Sequence, residues 1–199
     1  MTYIMVLEIT KFGHPVLRQK GERIEEITPE IEEFIRDMFD TMHDAEGVGL
    51  AAQQVGRALQ LTVIDVRPAK DRPSTMEVDG QAVDPNGQMP LVLINPEIRP
   101  FGEPVKGGEG CLSFPEVYAD VVRKESVEVS ALNAKGEPIK FKAGGLLSRA
   151  VQHEVDHLNG VLFVDRMSRE AKAEIQDELD ALQESTKAAL KNSKPSMRM

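Results

Sequence analysis

The chain has 199 residues, of which 41% are hydrophobic and 29% charged, ordinary proportions that exclude a disordered or collagen-like protein. Its formal net charge of −9, without a lysine–arginine cluster, argues against a nucleic-acid partner. No apolar run could span a bilayer and residues 1–10 (MTYIMVLEIT) lack the features of a secretory signal, so we expect a cytoplasmic protein without a membrane partner.

The first half of the chain predicts one amphipathic helix and one buried strand. The helix begins at Thr28-Pro29, a cap-like residue followed by proline at the first helical position. Its apolar residues recur at helical spacing, at Ile31, Phe34, Ile35, Met38 and Met42. A glycine-bearing segment, residues 47–56, leads to a buried strand at 61–66. Residues 67–90 hold four prolines and predict a surface loop or irregular hairpin without a chemical role.

The second half predicts strands at 91–94, 117–122, 126–132 and 138–142, followed by two helices. The first of these helices runs from Leu146 to Asn159 and ends at Gly160, where a left-handed cap is usual. The last helix begins near Ser168, and the tail at about 191–199 should fray; its apolar stripe is Ile175, Leu179, Leu182 and Leu190. We expect one domain over residues 1–199 with an α+β fold, in which mostly antiparallel β-sheets surround the central helix, with an N-terminal and a C-terminal helix.

The central helix carries the pattern HEVDH at residues 153–157. His153 and His157 are four residues apart, so they lie one turn apart on one helix face and can hold one metal ion together. Glu154 lies near the same face, where a carboxylate can take a proton from a metal-activated water and return it to a leaving group. The alternative is that both histidines are surface residues paired with nearby acids. We favour a metal-binding helix.

A catalytic site of this kind needs a third protein ligand beside an open position. One source is a downstream carboxylate, as in many proteases with this pattern, and Asp165, Glu170 and Glu174 are available. The other is Cys111, the single cysteine, which cannot form an internal disulfide. Glycines stand at 107, 108 and 110, and Pro115 should end the strand soon after. We favour Cys111, because a thiolate presented there would be a strong, soft ligand.

Three segments together resemble the peptide deformylase family: residues 47–54 (GVGLAAQQ), 109–113 (EGCLS) and 153–157 (HEVDH), in the family's order. The similarity covers nearly the whole chain, and the three motifs jointly are far more specific than any one of them. The resemblance implies a metal-dependent hydrolase that removes the formyl group from the N-formyl-methionyl end of newly synthesised polypeptides and releases formate. It also implies transient association with the ribosome, without direct binding of nucleic acid.

The resemblance further implies a role for individual residues. One divalent ion, commonly Fe²⁺ with Zn²⁺, Ni²⁺ or Co²⁺ as substitutes, would be held by Cys111, His153 and His157. Glu154 would be the acid/base, and Gln54 and the backbone N–H of Leu112 would hydrogen-bond the formyl oxygen. The residues that would bind the substrate, by backbone pairing or as walls of its methionine pocket, are Val48, Gly49, Glu109, Gly110, Leu146, Arg149 and Ala150.

Three points concern side chains near this site. We expect the alkyl stem of Arg149 to line the pocket while its charge reaches outward, with a plain surface salt bridge as the alternative. We expect Asp156 and Arg123 to pair and steady the ligand helix. Tyr118 stands where some family members carry an arginine that could meet the far end of the substrate. The resemblance therefore does not assign the contacts of the substrate's downstream residues.

Rival interpretations come from three classes. Residues 47–52 fit a loose dinucleotide fingerprint, but that motif follows a strand and opens a helix, whereas here a helix precedes it and a strand follows. A metalloprotease with a downstream carboxylate ligand is the enzymatic alternative. A non-catalytic metal site closed by a fourth protein ligand is the structural one.

Overall fold

A sheet in which all neighbouring strands run antiparallel organises the fold. The structure is a computed structural model that describes residues 5–193. Its strands are β1 (Gly49–Ala51), β2 (Leu61–Ile64), β3 (Ser74–Val78), β4 (Gln81–Val83), β5 (Leu91–Cys111), β6 (Phe114–Leu132) and β7 (Pro138–Gly144). Across the sheet their order is β1-β2-β5-β6-β7-β3-β4.

The helices are α1 (Pro29–Asp44), α2 (Gly145–Leu158), α3 (Arg169–Glu174) and α4 (Gln176–Ser193). The predicted α+β class, with helices at both ends and a central helix among antiparallel strands, is confirmed. The predicted last helix is wrong in one respect, because it is interrupted at Ile175. Of the tail expected to fray, residues 191–193 are helical and 194–199 lie outside the described residues. No helix in the described part of the chain is both long and apolar enough to cross a membrane.

Helix α1 forms where the hydrophobic spacing predicts it. Its apolar stripe, Ile31, Phe34, Ile35, Met38 and Met42, is buried against β1, β2 and β5. Thr28 stands at the N-cap position but makes no side-chain cap hydrogen bond. Its carbonyl instead accepts the N–H groups of Ile31 and Glu32, at 2.9 and 3.0 Å. The helix start is therefore fixed by Pro29, which presets the first helical φ angle, and by burial of the stripe.

Strands β5 and β6 form one long hairpin instead of the short separate strands predicted at 91–94, 117–122 and 126–132. Its turn is the pair Leu112 and Ser113, since Cys111 and Phe114 are cross-strand partners. Pro115 does not end a strand, as expected from the sequence, but is the second residue of β6. Near a strand start, beside the register shift at residues 110 and 111, its missing N–H is tolerated. Cys111 is therefore the last residue of β5, directly before the hairpin turn.

Residues 67–90 contain a hairpin, β3 and β4, and β3 extends the sheet by pairing with β7. This segment also contacts the start of α2. The carbonyl of Pro73 accepts the N–H of Leu146 at 3.0 Å, and Ser74 Oγ accepts the N–H of Leu147 at 3.1 Å. Because the first N–H groups of a helix have no partner within it, these bonds cap α2 from a distant part of the chain. At its other end Gly160 has φ 71°, the left-handed conformation predicted there.

Candidate metal centre

Cys111, at the end of β5, meets His153 and His157 of α2. One donor atom from each residue can be chosen so that the three lie within 4.8 Å of one another. Cys111 Sγ is 3.3 Å from His157 Nε2, and the two imidazole centroids are 5.0 Å apart. Ligand bonds of about 2.0 and 2.3 Å at a tetrahedral ion would place nitrogen and sulfur about 3.5 Å apart. The spacing therefore suits one shared ion.

The chemistry of this donor set also fits a catalytic metal. A thiolate and two imidazoles suit Fe²⁺ and Zn²⁺, and three protein ligands leave a coordination position open. Both histidines are buried, whereas Cys111 is partly exposed at a cavity. The three residues are thus a Cys/His/His metal-binding group with access from one side.

The carboxylates considered as the third ligand lie elsewhere. Asp165 forms an ion pair with Arg18 and accepts the N–H of Leu162 at 2.9 Å. Glu170 and Glu174 are exposed and line a separate groove beside α3. None of the three joins the cysteine–histidine group. The donor set of the metalloprotease alternative is absent from the described residues.

Glu154 lines the same cavity and is closely surrounded by other atoms. Its residue is 4% exposed, and its Oε2 is buried without a hydrogen-bond partner among the described residues. A Cβ built on Gly49 would lie only 2.4 Å from Glu154 Oε1, so this glycine makes the room that the carboxylate occupies. Burial raises the pKa of Glu154 to about 7. A carboxyl group with such a pKa can both accept and donate a proton near neutral pH.

Glu109 orients the first histidine. Its Oε2 lies 2.9 Å from His153 Nδ1, so that the other ring nitrogen is free to serve as the donor to an ion. Burial disfavours the charged forms of Glu109 and His153. The hydrogen bond between them, together with Arg123 beside Glu109 and Cys111 beside His153, favours the charged forms more strongly. The pKa of Glu109 is held well below its usual range, and Cys111 and Glu109 raise the pKa of His153 to about 10. Burial lowers the pKa of His157.

Arg123 connects the carboxylate of Glu109 to Asp156 of α2. Its Nε is 2.6 Å from Glu109 Oε1, and its Nη1 is 2.8 Å from Asp156 Oδ2. The pair expected from the sequence, Arg123 and Asp156, is therefore in contact, with the arginine side chain only 5% exposed. Arg166 adds a second partner for Asp156, at 2.6 Å from Oδ1. No local pattern marks Arg166, so sequence reasoning missed it.

Arg149 differs from expectation. Its guanidinium turns inward, where it donates to Glu109 Oε1 at 2.7 Å and to the carbonyls of Val105 and Val121 at 2.9 and 3.0 Å. Its side chain is only 11% exposed, so neither an outward charge nor a plain surface salt bridge is correct. The buried pairing with Glu109 and the strand carbonyls explains the difference, because these oxygens accept the guanidinium N–H groups that would otherwise hydrogen-bond to water. Arg149 ties α2 to both strands of the long hairpin.

A cavity of about 550 Å³ opens in front of the metal-binding group. Its walls include most residues that the sequence singled out: Val48, Gly49, Gln54, Glu109, Gly110, Leu112, Leu146, Arg149, Ala150 and Glu154. Asp156 and Arg123 are not among the lining residues but lie behind them. Two further basic residues line the cavity and were missed. Lys11 Nζ donates to the carbonyl of Leu112 at 2.9 Å, and Arg72 reaches the carbonyl of Gly108 at 3.4 Å.

Gln54 presents its amide to the metal-binding group in a fixed orientation. Its Oε1 accepts the N–H of Ala51 at 2.8 Å, which leaves the NH₂ group to point the other way. There Nε2 lies 3.5 Å from Cys111 Sγ and 3.4 Å from Ser113 Oγ. The amide is thus a donor aimed at the region beside the sulfur.

Comparison with known proteins gives one family. The family profile described as polypeptide deformylase matches residues 6–173. A peptide deformylase from Opitutus terrae is 43% identical over 189 residues, covering 94% of this chain and 98% of its own. The crystal structure of a peptide deformylase from Legionella pneumophila is 36% identical, with a TM-score of 0.75 over 96% of this chain and 99% of that one. A Synechococcus elongatus peptide deformylase, crystallised in complex with actinonin, is 42% identical, with a TM-score of 0.72 over 91% and 86% of the two chains. The chain therefore belongs to the polypeptide deformylase family.

Proposed function

We propose that this chain, as a single catalytic domain, hydrolyses the N-formyl group from the terminal methionine of newly synthesised polypeptides at the Cys111/His153/His157 centre. The observation that carries the proposal is the convergence of these three donor atoms beside a cavity that Cys111, His153 and Glu154 line. The family's activity supplies the substrate class. Cys111, His153 and His157 would hold a divalent ion, which would supply Lewis acidity for the formyl carbonyl and for water near neutral pH.

Glu154 moves the protons in this proposal. Its carboxylate takes a proton from the attacking water while the water oxygen bonds to the formyl carbon. When the carbon–nitrogen bond breaks, the same carboxyl group delivers this proton to the departing amine. The second water proton stays on the formic acid product, which releases it to solvent and becomes formate near neutral pH. The support is positional, since Glu154 is next to a ligand histidine, faces the cavity and has a buried oxygen without a hydrogen-bond partner among the described residues.

Gln54 and Leu112 stabilise the formyl oxygen as it becomes negative. The amide of Gln54 is held in place by Ala51, and Leu112 lies in the hairpin turn directly after Cys111. Donors fixed before the reaction need no reorganisation, and loss of one such donor costs roughly 3 kcal/mol of transition-state stabilisation. Lys11 supports the turn through the Leu112 carbonyl.

In this proposal the substrate lies extended along the backbone of Val48–Gly49 and that of Glu109–Gly110, both of which line the cavity. Backbone pairing of this kind binds many sequences, and side-chain pockets then give selectivity. Leu146 and Ala150, with the stem of Arg149, form the pocket for methionine. Arg123 and Asp156 act indirectly, by keeping the ligand helix still.

We further propose that the resident ion is Fe²⁺, because a mixed sulfur and nitrogen donor set accepts it, although Zn²⁺, Ni²⁺ and Co²⁺ would bind as well. We also propose that the enzyme acts in the cytoplasm and meets nascent chains transiently at the ribosome, because its proposed substrates are newly synthesised chains.

The test is formate release from formyl-Met-Ala-Ser, run beside metal analysis of protein purified without oxygen. We expect stoichiometric metal and turnover. In Cys111→Ser the bound metal should fall sharply, and turnover with it. Full metal retention in that variant would favour a donor set without sulfur, while metal binding without formate release would favour a non-catalytic site.

A further inference from the structure

A second cavity, of about 590 Å³, lies next to the first. Gly108 and Tyr118 line both, so the two cavities adjoin at these residues. One wall of the second cavity is the outer face of the β5–β6 hairpin and the other is the segment around α3. We call it the α3 groove. Of the residues that line only this groove, Arg166 supports the metal centre by pairing with Asp156.

Tyr118 forms the junction between the cavities. It is 75% exposed, an unusual position for a large ring, and it is the cross-strand partner of Gly110. A Cβ on Gly110 would lie 2.6 Å from Tyr118 Cε1, so the ring lies directly over the glycine backbone. An exposed ring held against a strand that borders the substrate cavity is suited to contact a peptide leaving that cavity.

The α3 groove continues from this ring with an apolar floor and a charged rim. Val122, on the same strand face as Tyr118, is 56% exposed. Opposite it, Met167, Ala171 and Ile175 recur at every fourth residue and line the groove. The rim carries both signs of charge, including the Lys106–Asp120 ion pair at 3.0 Å. An apolar strip with mixed charges at its edge suits a polypeptide of varied sequence more than a small ion.

We propose that the α3 groove binds the downstream part of the formylated polypeptide, so that residues well beyond the methionine contribute to substrate affinity. The inference rests on the proposed function, and the position of the groove directly beside the substrate cavity, with Gly108 and Tyr118 shared, identifies the occupant. Gly110 pairs with Tyr118 and Lys106 pairs with Val122, a separation of four residues along β5. At about 3.3 Å per residue this is about 13 Å, so a three-residue substrate stops short of Val122 while an eight-residue substrate reaches it.

The test compares two eight-residue substrates, formyl-Met-Ala-Ser-Ser-Gly-Leu-Leu-Ser and the same peptide with serine in place of both leucines. Moving one leucine side chain from water into an apolar groove changes affinity by about tenfold or more. For the wild-type enzyme we expect kcat/KM to be about tenfold higher for the leucine peptide, mainly through KM. Tyr118→Ala and Val122→Lys should bring this ratio close to one.

Phe101→Ala is the matched control, because Phe101 is an exposed apolar residue of the same hairpin that lines neither cavity. Its ratio should equal that of the wild type. Calorimetry with the unformylated peptides repeats the comparison without turnover, so failure of deformylation and failure of the groove are distinguishable. Equal binding of the two peptides by the wild type, or a leucine preference that survives both groove variants, would overturn the inference.

Discussion

Replacement of Gly49 by alanine tests the placement of Glu154 most directly. The new Cβ would lie 2.4 Å from Glu154 Oε1 and 2.8 Å from Cδ, whereas ordinary contact begins near 3.4 Å. The carboxylate must therefore shift by about 1 Å, and a misplacement of that size at a catalytic group can lower the rate about 100-fold. The three atoms nearest to the new methyl group all belong to Glu154, so we expect Cys111, His153 and His157 to keep their positions and the bound metal to be retained.

The assay is steady-state formate release from formyl-Met-Ala-Ser, with metal content and a thermal melt on the same preparation. We expect kcat to fall about 100-fold in Gly49→Ala while metal content stays at the wild-type level. Gly87→Ala is the control, since a Cβ there meets nothing within 4 Å. Wild-type kcat in Gly49→Ala would refute the reasoning, because it would mean that the position of the carboxylate does not matter for turnover.

Glu154→Gln should keep its metal but lose at least about 100-fold in turnover, since the amide cannot carry a proton; formate release near the wild-type rate would remove this residue from the mechanism. Arg123→Met leaves two buried carboxylates short of a partner and should lower the free energy of unfolding by about 3 kcal/mol; urea denaturation measures this, and a loss below about 1 kcal/mol would show that the neighbouring arginines compensate. The hydrogen bond from Arg67 lowers the pKa of buried Asp65. The stabilisation of the folded state by this hydrogen bond is fully present above the pKa of Asp65 in the unfolded chain, about 4, and is lost as the pH falls through its folded-state pKa. Asp65→Asn should therefore have a lower free energy of unfolding than the wild type at pH 7, and the two values should converge in acid. A stability difference that is constant with pH would contradict this assignment.

The parts of the structure that sequence predicted well are those with a local signal. The 3.6-residue periodicity predicted α1, and the four-residue spacing of His153 and His157 predicted that their rings share one helix face. Cys111 has no such link to α2 in the sequence, being 42 residues before His153. Only the combination of three motifs connected them, and the fold then brings the sulfur to the second histidine.

The long hairpin was predicted only in pieces because its middle lacks strand signals. Residues 95–110 hold three prolines and four glycines, and the register shifts near Ile94 and Phe101 accommodate them. Much of this segment is exposed, so no alternation of apolar and polar residues marks it. The contacts of Lys11, Arg72 and Arg166 connect distant parts of the chain, and no periodicity predicts them.

The position of Cys111 at the end of a long antiparallel ladder links metal uptake to correct strand alignment. Neighbouring residues of a strand point to opposite faces, so a slip of one residue between β5 and β6 would turn the sulfur away from α2. A refolded chain with that slip would keep both imidazoles on their helix yet lack the thiolate. Tightly held metal in a refolded preparation thus reports the alignment of the two longest strands, a property that far-UV circular dichroism does not distinguish.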